Sequence, residues 1–313
     1  MTHAIVYTEH GDPEVLTLVD VDRPTAEPGH LVVRVEAAGV NPIDAKLRSG
    51  LRSSPPLTKP RRIGNDGAGT VVEVGPDVDG FRPGDPVVVF GASGVYASEV
   101  AVKTSSVQPR PPQVSAAVGA ALGIPVGTAY QSLRSLDVRA GDTLVIHAGS
   151  GAVGQAAIQL AVLWGATVVA TASPRRFDRL RELGATPVAY GDGLLERLRE
   201  AAPQGYTVAF DAAGTDEALS ASLELVTDHH RIATIVRGAD AAGLGIRAFS
   251  GGSPDPLTPQ QQAWRAEAIP VVLALLETGR FSVEVGPELP LADAAEAHRL
   301  LAANTAGKIT LTP

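Results

Sequence analysis

One stretch constrains this chain more than any other. Residues 144–154 read LVIHAGSGAVG, an apolar strand that runs into three glycines and then into a helical run. Gly149, Gly151 and Gly154 form a G-x-G-x-x-G pattern. At that spacing the first glycine permits a tight turn, the second lets the main chain approach a pyrophosphate, and the third allows close helix–strand packing. The start of the following helix then offers free N–H groups and a favourable dipole to phosphate oxygens. A glycine-rich turn of purely structural use is the plainer alternative. The strand–turn–helix setting favours a dinucleotide site.

The surroundings repeat that alternation. Strands are expected at 144–147, 167–171, 188–190, 208–211 and 231–236, with helices at 152–164, 174–183, 194–201 and 216–226. Apolar strands alternating with helices indicate an α/β, doubly wound parallel sheet covered on both faces. The first third reads differently. Short β-rich runs (LVVRVE at 31–36, GTVVEV at 69–74, DPVVVF at 85–90) are punctuated by Pro28-Gly29 and Pro83-Gly84, which suggests a mostly antiparallel β domain. A helix around 260–276, another near 293–303 and a closing KITL strand at 308–311 complete the chain. The expected division is 1–123 with 280–313 as one domain and 124–279 as the other.

The dinucleotide can be narrowed further. An NAD site places a carboxylate at the end of the second strand, about 20 residues past the glycine loop, to hold the ribose 2′-OH. Here that strand ends at Ser173, followed by Pro174, Arg175 and Arg176. No carboxylate stands there to repel a 2′-phosphate, and guanidinium groups suit its geometry, so NADPH is the expected cofactor. Ser173 with Pro174 also suits a helix start, and a solvated basic helix end is the competing explanation for the arginines.

Composition removes other classes. Net charge is −8 with no long basic run, which argues against nucleic-acid partners. No stretch approaches the ~20 apolar residues of a membrane span, and the opening MTHAIVYTEHGDPE lacks a signal-peptide pattern, so a cytoplasmic protein is expected. There is no cysteine, which excludes disulfides, thiol nucleophiles and thiolate-held zinc. Tyr-x-x-x-Lys, G-x-S-x-G, Walker and H-E-x-x-H patterns are absent, so short-chain dehydrogenase and hydrolase readings fail.

The chain as a whole resembles the medium-chain dehydrogenase/reductase superfamily, and within it the zinc-independent quinone oxidoreductase (zeta-crystallin-like) branch. The resemblance rests on GDPEVL at 11–16, AAGVNPIDAKLRSG at 37–50, GNDGAGTVVEVG at 64–75 and GTAYQSL at 127–133, with the glycine loop next. LGAT at 183–186, FDAAG at 210–214 and the closing GKITLTP follow. It implies a Rossmann domain joined to a GroES-like domain, a homodimer, and hydride transfer from NADPH to a quinone or related activated carbonyl. Reduction of an enone or enoyl C=C bond is the alternative, and a non-enzymatic NADPH-binding protein the third possibility. In zinc-using relatives a cysteine stands near Asn41-Pro42 and a histidine within the stretch here read as Gly64-Asn65-Asp66. The donors a zinc ion needs are thus missing, and no metal is expected.

Carried over residue by residue, the resemblance implies that Ser150, Gly151, Ala152 and Val153 contact the pyrophosphate. Ser173 and Arg176 would take the 2′-phosphate, and Tyr190 the adenosine side. Thr128, Gly214, Ile235 and Val236 would line the cofactor, and Asn41, Asp44 and Lys46 would face nicotinamide and substrate. A hydrogen bond from Asn41 or Lys46 could stabilise a developing oxyanion. Each has a structural alternative: Asn41 as a turn residue, Asp44 as a helix cap, Lys46 as a solvated lysine.

Overall fold

The computed structural model describes residues 2–249, 253 and 255–313 and divides them into two compact units, 1–124 with 269–313 and 125–268. The first is β-rich. His30–Gly39 is its central strand and pairs antiparallel with Asp66–Val74, Glu99–Lys103 and Lys308–Thr312. Pro86–Val89 and Val107–Pro109 extend the sheet on one side, and Val285–Pro290 adds a parallel edge beyond Lys308–Thr312. A smaller sheet joins Thr2–Tyr7 with Thr17–Val21 and Arg61–Arg62. Valines and leucines at alternate positions (Leu31, Val33, Val35, Val71, Val87, Val89) meet Tyr96, Ile309 and Leu311 in one core. Where the short helix Ala116–Ala120 lies on this sheet, the approach is close and small residues meet at its centre. Ala37, Ala68 and Ala120 pack together, and a Cβ on Gly39 would lie 2.0 Å from the Ala120 carbonyl oxygen.

The second unit is a six-stranded parallel sheet in the order Thr186–Ala189, Thr167–Ala172, Thr143–His147, Val208–Asp211, Ile232–Thr234, Arg247–Ala248. Helices Ala152–Leu163, Leu194–Ala201 and Asp216–Leu225 connect its strands as the sequence pattern requires. The stretch expected as one helix over 174–183 is a 3₁₀ turn, Pro174–Arg176, followed by the α-helix Phe177–Glu182. The strand expected over 231–236 shrinks to Ile232–Thr234, because Asp228 caps a 3₁₀ turn over His229–Arg231 and Thr234 turns the chain immediately afterwards. Among the described residues no helix is long and apolar enough to cross a membrane.

Candidate functional site

The glycine loop sits where the buried strand Thr143–His147 gives way to the helix Ala152–Leu163. Its three glycines do different things. A Cβ on Gly149 would stand 2.7 Å from the Ala170 Cβ, and one on Gly154 2.4 Å from the Ala148 oxygen and 2.7 Å from the Gly149 Cα. Both are therefore demanded by the protein's own packing. A Cβ on Gly151 meets only the Ala148 oxygen, at an ordinary 3.5 Å. Nothing among the described residues requires glycine there, and its bare main chain is open to close approach from outside. Gly149 and Gly154 are buried, whereas Ser150, Gly151, Ala152 and Val153 reach solvent. The helix begins at Gly151 without any side-chain cap, which leaves its first N–H groups for an anion. Ala148, at φ +59°, completes the turn, and its oxygen accepts the Gly151 N–H at 3.1 Å. The loop is braced from below: Gln155 donates to the Ser150 carbonyl at 2.9 Å, and Arg179 donates to Gln155 at 3.0 Å.

Neighbouring strand ends bring the other candidates to the same carboxyl edge. In the ladder His147 stands beside Asp211, Asp211 beside Thr234, and Ala172 beside Ala189. The glycine loop, Ser173–Arg176, Tyr190, Gly214 and Ile235–Val236 therefore all follow the carboxyl ends of one parallel sheet, where open α/β folds bind ligands. Ser173 occupies the cap position, but its side chain makes no capping bond. Arg175 is exposed and has no carboxylate partner among the described residues. Further along the helix Arg181 is paired with Asp178 at 2.7 Å and Arg179 with Glu182 at 3.3 Å. Tyr190 is 61% exposed. Gly214 is shaped by Asp211, whose Oδ1 accepts the N–H groups of Ala213 and Gly214, both at 2.9 Å. Thr234 donates to Asp211 at 2.7 Å and accepts from the main chain of Val236 and Arg237 at 3.1 Å. Thr128 comes instead from the helix Gly123–Ser135 and is buried. His147 is buried, reaches only Ser222 (3.1 Å), and burial lowers its pKa to about 4, so it packs rather than titrates near neutrality.

In the first unit the helix Pro42–Ser49 begins at Asn41. Asp44 is its third residue rather than its cap. Its Oδ2 accepts the Asn41 main-chain N–H at 2.9 Å and the Tyr96 hydroxyl at 3.1 Å, and its Oδ1 accepts from Asn65 at 2.6 Å. The Asn41 amide donates to the Gly39 carbonyl at 3.2 Å and to Asp66 at 2.9 Å, and its oxygen accepts from the Lys308 ammonium. Asp66 also accepts the Ile124 N–H at 2.7 Å. Asn41, Asp44, Asp66 and Tyr96 are fully buried and Lys308 nearly so. Burial is the main cause that lifts Asp44 to about 6, lowers Lys308 to about 8, and drives Tyr96 well above its usual range. Both Asn41 amide protons are thus committed internally. Lys46, half-exposed two residues on from Asp44, keeps a side chain with no hydrogen bond to a described residue.

Sequence reading brought out Asn41 and Asp44 but not the partners that hold them. Asn65 and Asp66 were visible only as a departure from a metal-binding pattern. Tyr96 and Lys308 carry no local signal, since they meet Asp44 and Asn41 from 52 and 267 residues away. Among the described residues no three His, Cys, Asp or Glu side chains are grouped to hold a metal ion.

A glycine-loop parallel sheet and a GroES-like β unit together define a two-unit, dinucleotide-binding type of chain. Residues 27–113 match the family model for the alcohol dehydrogenase GroES-like domain, and 152–247 that for the zinc-binding dehydrogenase. The quinone oxidoreductase of Rattus norvegicus is 31% identical over 95% of this chain and 93% of its own length. The spectinabilin polyketide synthase system protein NorB of Streptomyces orinoci is 36% identical over 91% of this chain, which spans only 13% of that protein. The match to the human quinone oxidoreductase likewise spans 55% of that protein. Among solved structures, the Escherichia coli quinone oxidoreductase complexed with NADPH superposes with a TM-score of 0.85 at 26% identity, covering 99% of this chain and 100% of that one. The chain belongs to the quinone oxidoreductase branch of the medium-chain dehydrogenase/reductase superfamily.

Proposed function

We propose that this protein is an NADPH-dependent oxidoreductase that reduces a quinone or a similarly activated carbonyl compound without a metal ion. The observation that carries the reading is Gly151, a glycine that the fold itself does not need, set at an uncapped helix start. The bound cofactor would supply the hydride. The chain's own part is to bind and orient. The loop from Ser150 to Val153 would hold the pyrophosphate, with the main-chain N–H groups of Ser150, Ala152 and Val153 donating while that of Gly151 stays with the Ala148 oxygen, and Ser173, Arg175 and Arg176 would hold the 2′-phosphate. Tyr190 would cover the adenosine side, and Thr128, Gly214, Ile235 and Val236 the nicotinamide side.

In the first unit Asn41 and Asp44 hold the loop, and Lys46 is the group free to hydrogen-bond a developing oxyanion and to give it a proton. A quinone is electrophilic enough to need little more. Zinc-type Lewis-acid help would require thiolate and imidazole donors, and the sequence offers Asn41, Asn65 and Asp66 at those places. A small-molecule substrate, a homodimeric assembly and a cytoplasmic setting complete the reading.

The test is a titration with NADPH and with NADH of the wild type and of Arg175→Ala/Arg176→Ala. The variant is expected to lose at least tenfold in NADPH affinity and less than twofold in NADH affinity. Equal loss for both would remove the 2′-phosphate assignment. Similarity to a polyketide synthase protein over 91% of the chain favours one second reading, reduction of an enoyl C=C bond. Turnover of crotonyl thioester without turnover of 9,10-phenanthrenequinone would select it.

A further inference from the structure

We infer that Lys308 is a positioning residue for the reaction proposed above: its buried ammonium, clamping the Asn41 amide against Asp66, fixes the start of the helix that presents Lys46. The inference rests on the reading that Lys46 faces the substrate. It stands on a geometry that nothing in the sequence announces.

The Lys308 stem arrives on the closing strand Lys308–Thr312, which pairs with Ala38 and Gly39 of the central strand, and its own main-chain N–H is held by the Glu284 carbonyl at 2.7 Å. A Cβ on Gly39 would lie 3.2 Å from the Lys308 Cε, so the stem is confined on that side as well. The ammonium therefore reaches Asn41 along a fixed path. Asn41 is oriented by chemistry on both sides: its oxygen must face the cation and its NH₂ must face the Asp66 carboxylate. The Asn41 main-chain N–H meets Asp44, which Asn65 and Tyr96 hold in turn. Lys308 and Asp66 thus act on the first turn of Pro42–Ser49 through Asn41, and Asn65 and Tyr96 act on it through Asp44.

The charges explain what a lysine does here. Asp44 and Asp66 are both fully buried, and two carboxylates in so dry a place repel each other unless a cation stands by. Lys308 supplies that cation. The remaining titratable neighbours are Tyr96, which bonds Asp44, and His298, whose ring stands edge-on to Tyr96 at 6.1 Å with Arg48 beyond it. Burial and Arg48 keep His298 neutral, so neither it nor Tyr96 can replace the missing positive charge. An apolar residue of the same length at 308 would fill the space more cheaply, since a buried charge costs solvation. The charge is there for placement. An ammonium is a compact point charge whereas a guanidinium spreads its charge over a planar fork, so arginine is not an equivalent.

The experiment compares wild type, Lys308→Met and Lys308→Met/Asp66→Asn for NADPH affinity, and for kcat and KM with 9,10-phenanthrenequinone between pH 5.5 and 7.5, where wild-type Lys308 stays largely charged. In Lys308→Met, NADPH affinity is expected to stay within twofold while kcat/KM for the quinone falls at least tenfold, mostly in kcat. A new limb should appear in which activity declines as pH rises, because one carboxylate must then stay protonated for the helix start to hold. The double variant removes the surplus negative charge and is expected to recover kcat/KM to within about threefold and to lose that limb. A purely space-filling lysine would lower the melting temperature without any new limb.

Quinone turnover by Lys308→Met within twofold of wild type overturns the inference, as does equal impairment of single and double variants. Should Lys308→Met fail to fold, the double variant decides alone: activity within threefold supports the inference, and a folded protein impaired more than tenfold overturns it. A wild type that neither binds NADPH nor reduces the quinone would defeat the proposed function itself. Normal wild-type turnover beside an indifferent Lys308→Met would defeat only this inference.

Discussion

A glycine can be required by the protein or by its ligand, and the loop at 149–154 holds two that the packing demands and one, Gly151, that it does not. The difference is measurable because the two requirements separate on substitution. Gly154→Ala would drive a Cβ into main-chain atoms at 2.4 and 2.7 Å, which cannot swing aside as a flexible side chain can. That variant is expected to melt lower, by the 1–3 kcal/mol typical of overpacking, and to bind NADPH poorly as a consequence. Gly151→Ala meets nothing closer than 3.5 Å and its backbone is in the ordinary extended region, at φ −73°. Its melting temperature without cofactor should stay within about 2 °C of wild type, since a change well below 1 kcal/mol shifts a domain of this size little. NADPH affinity should nevertheless fall at least tenfold. Thermal melting and fluorescence titration on the two variants check this. A Gly151→Ala protein with unchanged affinity would leave the helix start without its ligand.

At the scale of elements, the parallel sheet is tied at its amino end by side chains that belong to the residues just outside its strands. At the amino end Asp142, before Thr143–His147, accepts from Arg231 at 2.8 and 2.9 Å and from Thr207 at 2.8 Å, and these precede Ile232–Thr234 and Val208–Asp211. One carboxylate thus gathers the starts of three strands. Burial alone would raise the Asp142 pKa, but the hydrogen bonds from Arg231, Thr207 and the Arg139 N–H outweigh it and hold the group down at about 2. A depressed carboxyl stabilises the fold above its unfolded value near 4, and the contribution fades as pH falls from there through 2. The shift corresponds to about 2 kcal/mol. Asp142→Asn is therefore expected to lose roughly that much stability at pH 7 and to lack the wild-type decline between pH 4 and 2, both read from urea melts.

The strands and helices of this sheet were legible because apolar runs and helical runs alternate between glycines, so each element declares itself within a dozen residues. The helix Gly238–Leu244 was not, since its GADAAGL sequence has no apolar stripe to read. The same distinction governs the site. Ser150, Ser173, Arg175 and Gly214 stand next to their strand ends in sequence, whereas the residues around Asn41 are assembled by strand pairing between distant segments. Periodicity carries no trace of that, and for Lys308 only the strand itself could be foreseen.

For the whole molecule the governing quantity is a net charge of −8, which sets two copies of the chain against each other at long range. A homodimer must then be held by contacts that act at short range, and the outer edge of the parallel sheet is a place for them. Among the described residues the strand Arg247–Ala248 pairs on one side only, with Ile232–Thr234. The Phe249 N–H points inward, to the Thr234 carbonyl at 3.0 Å, so by strand alternation the Ala248 N–H points outward. Proline at 248 removes that outward donor and no inward one, which an edge strand tolerates. Ala248→Pro is expected to remain folded and to bind NADPH as wild type does, but to run as a monomer in light scattering, whereas wild type is expected to run as the proposed dimer. Salt gives an independent sign. Repulsion between like-charged copies is screened over about 10 Å at 0.1 M, whereas main-chain and apolar contacts are not. The proposed dimer is therefore expected to tighten as salt rises from about 10 to 150 mM. A dimer that loosens over that range would be held by opposite charges, and its interface would have to be sought away from this edge.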